Sequence, residues 1–288
     1  MFKLENMNAL KIQVIFFTLF SSYTYAKDNQ LVDSEPYRIT KNISYANVNV
    51  DLVIDKPENN EVDVLIVFHG TVFYDKKILE GANHVLDKFK QILNRKDMMI
   101  VSVAYPEENL LMGDNFLHAE AGLLWIKHRA NRALGVHVKK IFLAGHSQGG
   151  YLVTRLNTMY QTNGVIANGP GPLNLVYRCQ LEENGRIQPG ITCTLLKNTF
   201  GKTDKDSNSY YKRSLLNFTS GFKSDILFVQ GMNDTQIQLY SWPIFKEQVT
   251  NCSNCQNSQF LEIPNYGHAA LFESPKAKEI FNDFINSR

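Results

Sequence analysis

The pentapeptide Gly145-His146-Ser147-Gln148-Gly149 sets a hydroxyl between two glycines at the end of the apolar run Ile141-Phe142-Leu143-Ala144. Small residues on both sides of a serine let a strand turn sharply into a helix and hold the hydroxyl out at the sheet's edge, where it can act as a nucleophile. A Cβ at either flanking position would crowd the neighbouring strand and helix, so the turn asks for glycine. Five-residue patterns recur by chance. The flanks add weight, because IFLAG reads as a buried strand and GYLVTRLNTMY as the start of a helix. Such a nucleophile needs a base for its proton, an acid to orient the base, and N–H donors for the oxyanion. Asp204 and Asp206 fall in a long irregular segment, Asp225 precedes a strand and Asp283 lies near the end of the chain. Asp234, in LFVQGMND, sits just past the carboxyl end of an apolar run, on the edge predicted for Ser147. Catalytic groups of open α/β sheets gather at that edge; a turn-forming aspartate is the plain alternative. For the oxyanion, the N–H of Gln148 is one expected donor. The loop His69-Gly70-Thr71-Val72 supplies the other, Thr71 being expected and Val72 the alternative, with His69 packed or hydrogen-bonded beneath it.

These residues need a frame. The opening YRITKNISYANVNVDLVID has the alternation and turn residues of antiparallel strands. After it, VDVLIVFHG, DMMIVSVAYP, KKIFLAGHS, NGVIANGP, SDILFVQG and SQFLEIPNYGH are short apolar runs closed by turn residues, as expected of strands buried on both faces. Residues 75–95, 114–134, 148–162 and 274–287 carry helical patterns, with Phe116, Ala119, Leu123 and Ile126 at three- and four-residue spacing. Alternating strands and helices predict an α/β fold with a mostly parallel sheet flanked by helices. Residues 171–222 break the rhythm. An insertion of that length in a compact domain usually has a task, and a cap over the site is expected, presenting Leu173, Leu175, Val176, Tyr177, Tyr210 and Tyr211 as apolar surface. A surface excursion is the alternative.

With 288 residues, 44% hydrophobic and 20% charged, the chain can bury one sizeable core. A net charge of +2 with scattered lysines argues against a nucleic-acid partner and for a small molecule or a neutral polymer. Lys3 and Lys11 precede the apolar run Ile12 to Phe20, and the polar SSYTYA ends on Ala26. Residues 1–26 therefore read as a secretory signal peptide, leaving residues 27–288 as a single domain in a secreted or periplasmic protein. The run falls short of the roughly 20 residues that span a bilayer, although an uncleaved anchor is the alternative. Export favours disulfides between Cys179 and Cys193 and between Cys252 and Cys255. A zinc site built from all four cysteines matches the usual ligand spacing poorly. Nothing in the sequence fixes an oligomeric state.

The chain resembles the α/β-hydrolase superfamily, through GHSQG and through SYYKRSLLNFTSGFKSDILFVQGMNDTQ followed by YGHAAL, which is similar to the prolyl-oligopeptidase-like and dienelactone-hydrolase-like branches. The resemblance implies a Ser, Asp, His triad in that chain order. Only one of the seven histidines, His268 in NYGHAAL, follows Ser147. It implies further a serine hydrolase acting on an ester, small or polymeric, through an acyl-enzyme intermediate, with no metal or organic cofactor. The single glycine of FHGTVF departs from the HGGG run of lipases, and this leaves the choice between Thr71 and Val72 open. A peptidase is the enzymatic alternative, but residues 27–61 are too few for the propeller that gates prolyl oligopeptidases. A binding protein on a hydrolase fold is the alternative of another class; such proteins usually lack a triad member.

Overall fold

A computed structural model describes residues 37–288; the predicted signal peptide lies outside them. β1 (Tyr37–Tyr45) and β2 (Val48–Lys56) form a hairpin closed by Ala46 and Asn47 at φ 49° and 65°, the left-handed pair that a two-residue turn demands. There follow β3 (Glu61–Phe68), α1 (Ile78–Ile92), β4 (Met99–Ala104), α2 (Phe116–Leu134), β5 (His137–His146), α3 (Gln148–Met159) and β6 (Gly164–Asn168). The chain continues through α4 (Leu175–Glu183), α5 (Ile191–Phe200), α6 (Ser207–Tyr211), β7 (Ile226–Gly231), α7 (Gln236–Thr250), β8 (Ser258–Ile263), α8 (Ala270–Glu273) and α9 (Pro275–Asn286). The strands form one eight-stranded sheet in the order β1-β2-β4-β3-β5-β6-β7-β8. β2 alone runs opposite to the others, pairing antiparallel with both β1 and β4, and every pairing from β4 to β8 is parallel.

Two-sided burial explains the continuous apolar runs. On β3, Val64, Ile66 and Phe68 enter the core on one face and Leu65 and Val67 the core on the other, all fully buried. Each such side chain contributes about 1.5–3 kcal/mol of transfer free energy. One core is closed by α2, α3 and α7, the other by α1, α8 and α9. α1 presents Ala82, Val85, Leu86, Phe89 and Ile92 along one stripe, the i, i+3, i+4 spacing of a half-buried helix. α9 starts where Ser274 accepts the N–H of Ala277 and Pro275 occupies the first turn, both ordinary start signals.

The segment 171–222 is helical and packed. Leu175, Cys179, Cys193, Leu196 and Tyr210 all join the main core, so α4 to α6 are part of the domain's body. Tyr210 and Leu175, expected as surface, are fully buried; Tyr210 donates to the Gly201 carbonyl at 2.6 Å. Cys179 and Cys193 are disulfide-bonded between α4 and α5, and Cys252 and Cys255 are bonded in the turn after α7. No helix among the described residues is long and apolar enough to cross a membrane.

Candidate active site

Ser147 stands between the end of β5 and the start of α3 at φ 57°, ψ −117°, a region that side chains with a Cβ rarely occupy. Three backbone hydrogen bonds hold it there: its N–H donates to Asn168 at 2.9 Å, and its carbonyl accepts Tyr151 and Gly171 at 3.1 Å each. The flanking glycines are steric necessities. A Cβ on Gly145 would lie 2.1 Å from the Gly149 carbonyl oxygen, and one on Gly149 would lie 2.1 Å from that of Phe68. Helix, elbow and β3 thus approach to backbone contact, and the strain of the serine is borne by its neighbours.

Asp234 and His268 follow β7 and β8. The two loops touch at Gly231, where a Cβ would lie 2.0 Å from the Gly267 carbonyl oxygen, and the Asn233 N–H donates to Tyr266 at 2.8 Å. This contact sets Asp234 Oδ2 2.8 Å from His268 Nδ1. Burial alone would raise the Asp234 carboxyl. Hydrogen bonds from His268, from Gln230 Nε2 at 3.0 Å and from the Thr235 N–H at 2.6 Å outweigh it and hold the group below the usual aspartate range. An ionised carboxylate only accepts, so Nδ1 carries the proton and Nε2 is left as a base. Ser147, His268, Asp234 and Thr71 line one cavity of about 390 Å³ together with Gly171, Pro172, Leu173, Asn174, Arg178 and Thr192 from the 171–222 segment. Among the described residues no hydrogen bond joins Ser147 to His268; such contacts tighten when a substrate is bound.

In the loop after β3, the N–H groups of Thr71 and Val72 are placed differently. The Val72 N–H donates to Glu107 Oε2 at 2.5 Å and is therefore engaged. Thr71 Oγ1 donates to Gln148 Oε1 at 2.9 Å, tying the two expected donors together. Gln148 is the first residue of α3, where an N–H has no intrahelical acceptor. The Thr71 N–H likewise has no acceptor among the described residues. Below the loop, His69 stacks on Tyr105 with ring centroids 3.9 Å apart, and its carbonyl accepts the Tyr105 hydroxyl.

No family model matches the chain, and no curated protein sequence matches it. Solved structures do. Est1E from Butyrivibrio proteoclasticus superposes with a TM-score of 0.61 at 15% identity, covering 86% of this chain and 98% of its own. An esterase from Pyrobaculum calidifontis gives 0.63 at 14% identity, covering 89% and 86%. The acylaminoacyl peptidase of Pyrococcus horikoshii gives 0.61 at 12% identity over 88% of this chain, which spans 42% of that larger protein. The chain has the α/β-hydrolase fold.

Within this α/β-hydrolase fold, several residues of the site were invisible in the sequence. Gln238 Nε2 donates to Gln230 Oε1 at 3.0 Å, and Gln230 Nε2 donates to Asp234, so a chain of buried amides ends on the carboxylate. Gln238 is anchored in turn on the Pro170 carbonyl at 2.9 Å. Glu107, behind the Thr71 loop, is pushed up to about 8 by burial, against the Val72 N–H and with Asp75 adding to the rise. A glutamine at a strand's end, a glutamine in a helix and a glutamate in a loop are ordinary surface chemistry in a sequence; only the fold brings these inside.

Two histidines of this α/β-hydrolase fold govern its acid stability. His69 is lowered to about 4 by burial, and His146 to about 3 by burial and by the neighbouring His268 and Lys88. In the unfolded chain both gain protons below roughly pH 6.5. Folded, they stay neutral down to their lowered values. The unfolded state therefore binds more protons between about pH 6.5 and 4, and stability falls as pH drops through that window. The slope is about 1.4 kcal/mol per pH unit per histidine, or about 2 kcal/mol each between pH 6.5 and 5. In a Glu107→Gln background, which removes the opposing gain in stability from a carboxyl raised to about 8, urea unfolding at pH 7 and pH 5 should show this loss, and adding His69→Phe, which keeps a ring against Tyr105, should reduce the difference by about half. Equal stability at the two pH values would contradict the buried neutral histidines.

Proposed function

We propose that the chain is an exported serine hydrolase that cleaves carboxylic esters through an acyl-enzyme intermediate, with residues 1–26 as its signal peptide, residues 27–288 as its single domain and residues 171–222 as its cap. The observation that carries the reading is the 2.8 Å contact of His268 Nδ1 with Asp234 Oδ2 in the wall of the cavity that holds Ser147. With an ester in that cavity, Ser147 Oγ attacks the carbonyl carbon and His268 Nε2 takes the hydroxyl proton. The charge that develops on the carbonyl oxygen is met by the N–H groups of Gln148 and Thr71. His268 returns the proton to the departing alcohol, and a water, deprotonated at the same nitrogen, releases the acid and restores Ser147. Asp234 stays ionised and stabilises the imidazolium. No cofactor enters these steps. The two disulfides support export, since such bonds persist in oxidising compartments.

The likeness to a peptidase makes the leaving group the open choice. Amide cleavage asks for remote contacts that grip a peptide and lower its higher barrier. A free amino terminus would need an unengaged carboxylate near the cavity. Both glutamates of α4 are engaged: Glu182 accepts from Arg178 and the Gly190 N–H, and Glu183 accepts from Thr203. Short-chain nitrophenyl esters should therefore be hydrolysed with kcat/KM at least about 100-fold above that for peptide anilides with free amino termini or proline at the cleaved bond, a gap of some 2.7 kcal/mol in barrier. Measured kcat/KM for both panels checks this. A peptide anilide that matches the best ester would replace the esterase reading with the peptidase.

A further inference from the structure

The cavity over Ser147 is lined by neutral side chains, apart from the Asp234 and His268 pair and one cation, Arg178. Arg178 lies on α4, and its Nε donates at 3.3 Å to Glu182 one turn further on. Glu182 is itself held, with its side chain 5% exposed and its second oxygen accepting the Gly190 N–H at 2.8 Å. That arrangement fixes the guanidinium plane. The loop backbone closes on it from one side, since a Cβ on Gly190 would lie 3.1 Å from Arg178 Nη2. Among the described residues neither Nη1 nor Nη2 has a hydrogen-bond acceptor. The next residue, Cys179, is bonded to Cys193, and Cys193 adjoins Thr192, which also lines the cavity, so the disulfide clamps the two helices that present Arg178 and Thr192. The neighbouring cavities bring charges of both signs, Arg155, Lys212 and Arg213 with Asp114 in one that shares Met112, and Glu107 and Glu108 in one that shares Thr71, Met112 and Thr192, so Arg178 is the cation of this cavity itself.

Building on the ester-hydrolase reading, we propose that Arg178 is a specificity residue that selects esters bearing a free carboxylate on the part of the substrate lodged beneath α4. A guanidinium with its Nε engaged and both Nη groups open offers two parallel donors, the match for a planar carboxylate. One cation in the cavity suits a singly charged group, whereas a phosphate dianion would call for more. Side-chain order matters as much as charge: an arginine already held by Glu182 and flanked by the Gly190 backbone loses little freedom on binding.

The test uses matched phenyl esters on the full protein. On the acyl side, the monophenyl ester of adipic acid is compared with its neutral carboxamide counterpart; on the alcohol side, 4-carboxyphenyl butanoate is compared with 4-carbamoylphenyl butanoate. In at least one pair kcat/KM should favour the carboxylate by roughly 10- to 100-fold, the worth of a charged hydrogen-bonded contact. Arg178→Gln should bring that ratio to about one, and Arg178→Lys, which keeps the charge without the fork, should retain only part of it. Ratios near one in the wild-type protein for both pairs, or a preference that survives in Arg178→Gln, would overturn the proposal. A neutral fluorophosphonate separates the two levels of inference. Labelling of Ser147 with no carboxylate preference removes the role of Arg178 alone, and a folded chain that neither labels nor turns over any ester removes the hydrolase reading and the Arg178 proposal together.

Discussion

Ser147→Ala should leave a folded protein that has lost nearly all ester turnover, with kcat/KM down by about 10⁴- to 10⁶-fold, as for the loss of a nucleophile that acts with its base as a unit. The backbone at this position is strained for any residue with a Cβ, and alanine has the same Cβ as serine. The substitution therefore neither adds nor relieves strain. The hydrogen bonds that hold the elbow run from the Ser147 backbone to Asn168, Tyr151 and Gly171, and alanine keeps them. Only the hydroxyl goes. Thermal unfolding within about 2 °C of wild type, together with complete loss of fluorophosphonate labelling, is the expected pair of results; about 2 °C corresponds to roughly 1 kcal/mol at this chain length. Residual turnover above about 1% in protein free of host hydrolases would exceed what the oxyanion donors alone supply and would dismiss Ser147 as nucleophile.

Asp234→Asn should lower kcat by about 10⁴-fold with the fold intact. The carboxylate uses Oδ2 for His268 and Gln230 and Oδ1 for the Thr235 N–H, and all three partners donate. An asparagine has only one accepting oxygen. If that oxygen faces His268 and Gln230, the amide NH2 is set against the Thr235 N–H; if it faces Thr235, the NH2 opposes Gln230 and forces the proton of His268 onto Nε2. Nε2 must be bare to accept from Ser147, so the second arrangement disables the base. The first destabilises the turn that carries it. Stability also loses its dependence on this carboxyl: a group held below its ordinary range stabilises above the unfolded aspartate value near pH 3.9 and loses that contribution as pH falls through the folded one. Single-turnover rates and urea titrations between pH 3 and 7 measure both effects, and an Asn variant with more than a tenth of wild-type kcat would dismiss Asp234 as the orienting acid.

The sheet was largely legible in the sequence because parallel strands buried on both faces leave unbroken apolar runs, and each of the six runs closed by turn residues became a strand. The long helix α7 was not. Pro243 sits inside it, and in a sequence a proline amid Leu239, Tyr240, Ser241 and Trp242 reads as a break; packing of Trp242 and Phe245 into the core carries the helix through. The places of Ser147, Asp234 and His268 just after β5, β7 and β8 could be read because strand ends and chain order constrain them. The engagement of the Val72 N–H by Glu107, 35 residues away, could not, because it depends on how the loops after β3 and β4 meet. Tyr210 and Leu175 were misplaced for a related reason: residues 171–222 carry too many polar and small residues to announce a packed layer, and only their pairing with the rest of the core reveals one.

The order of strands across the sheet also bears on when the proposed chemistry can begin. Ser147 follows β5, but Asp234 follows β7, and His268 comes only after β8, the outermost strand. Until the final strand has been synthesised and added to the edge, the serine stands on its elbow without the histidine proposed as its proton acceptor. On the proposed roles, a chain whose last strand is not yet in place is inert toward every ester around it. Turnover is then a certificate of completed folding.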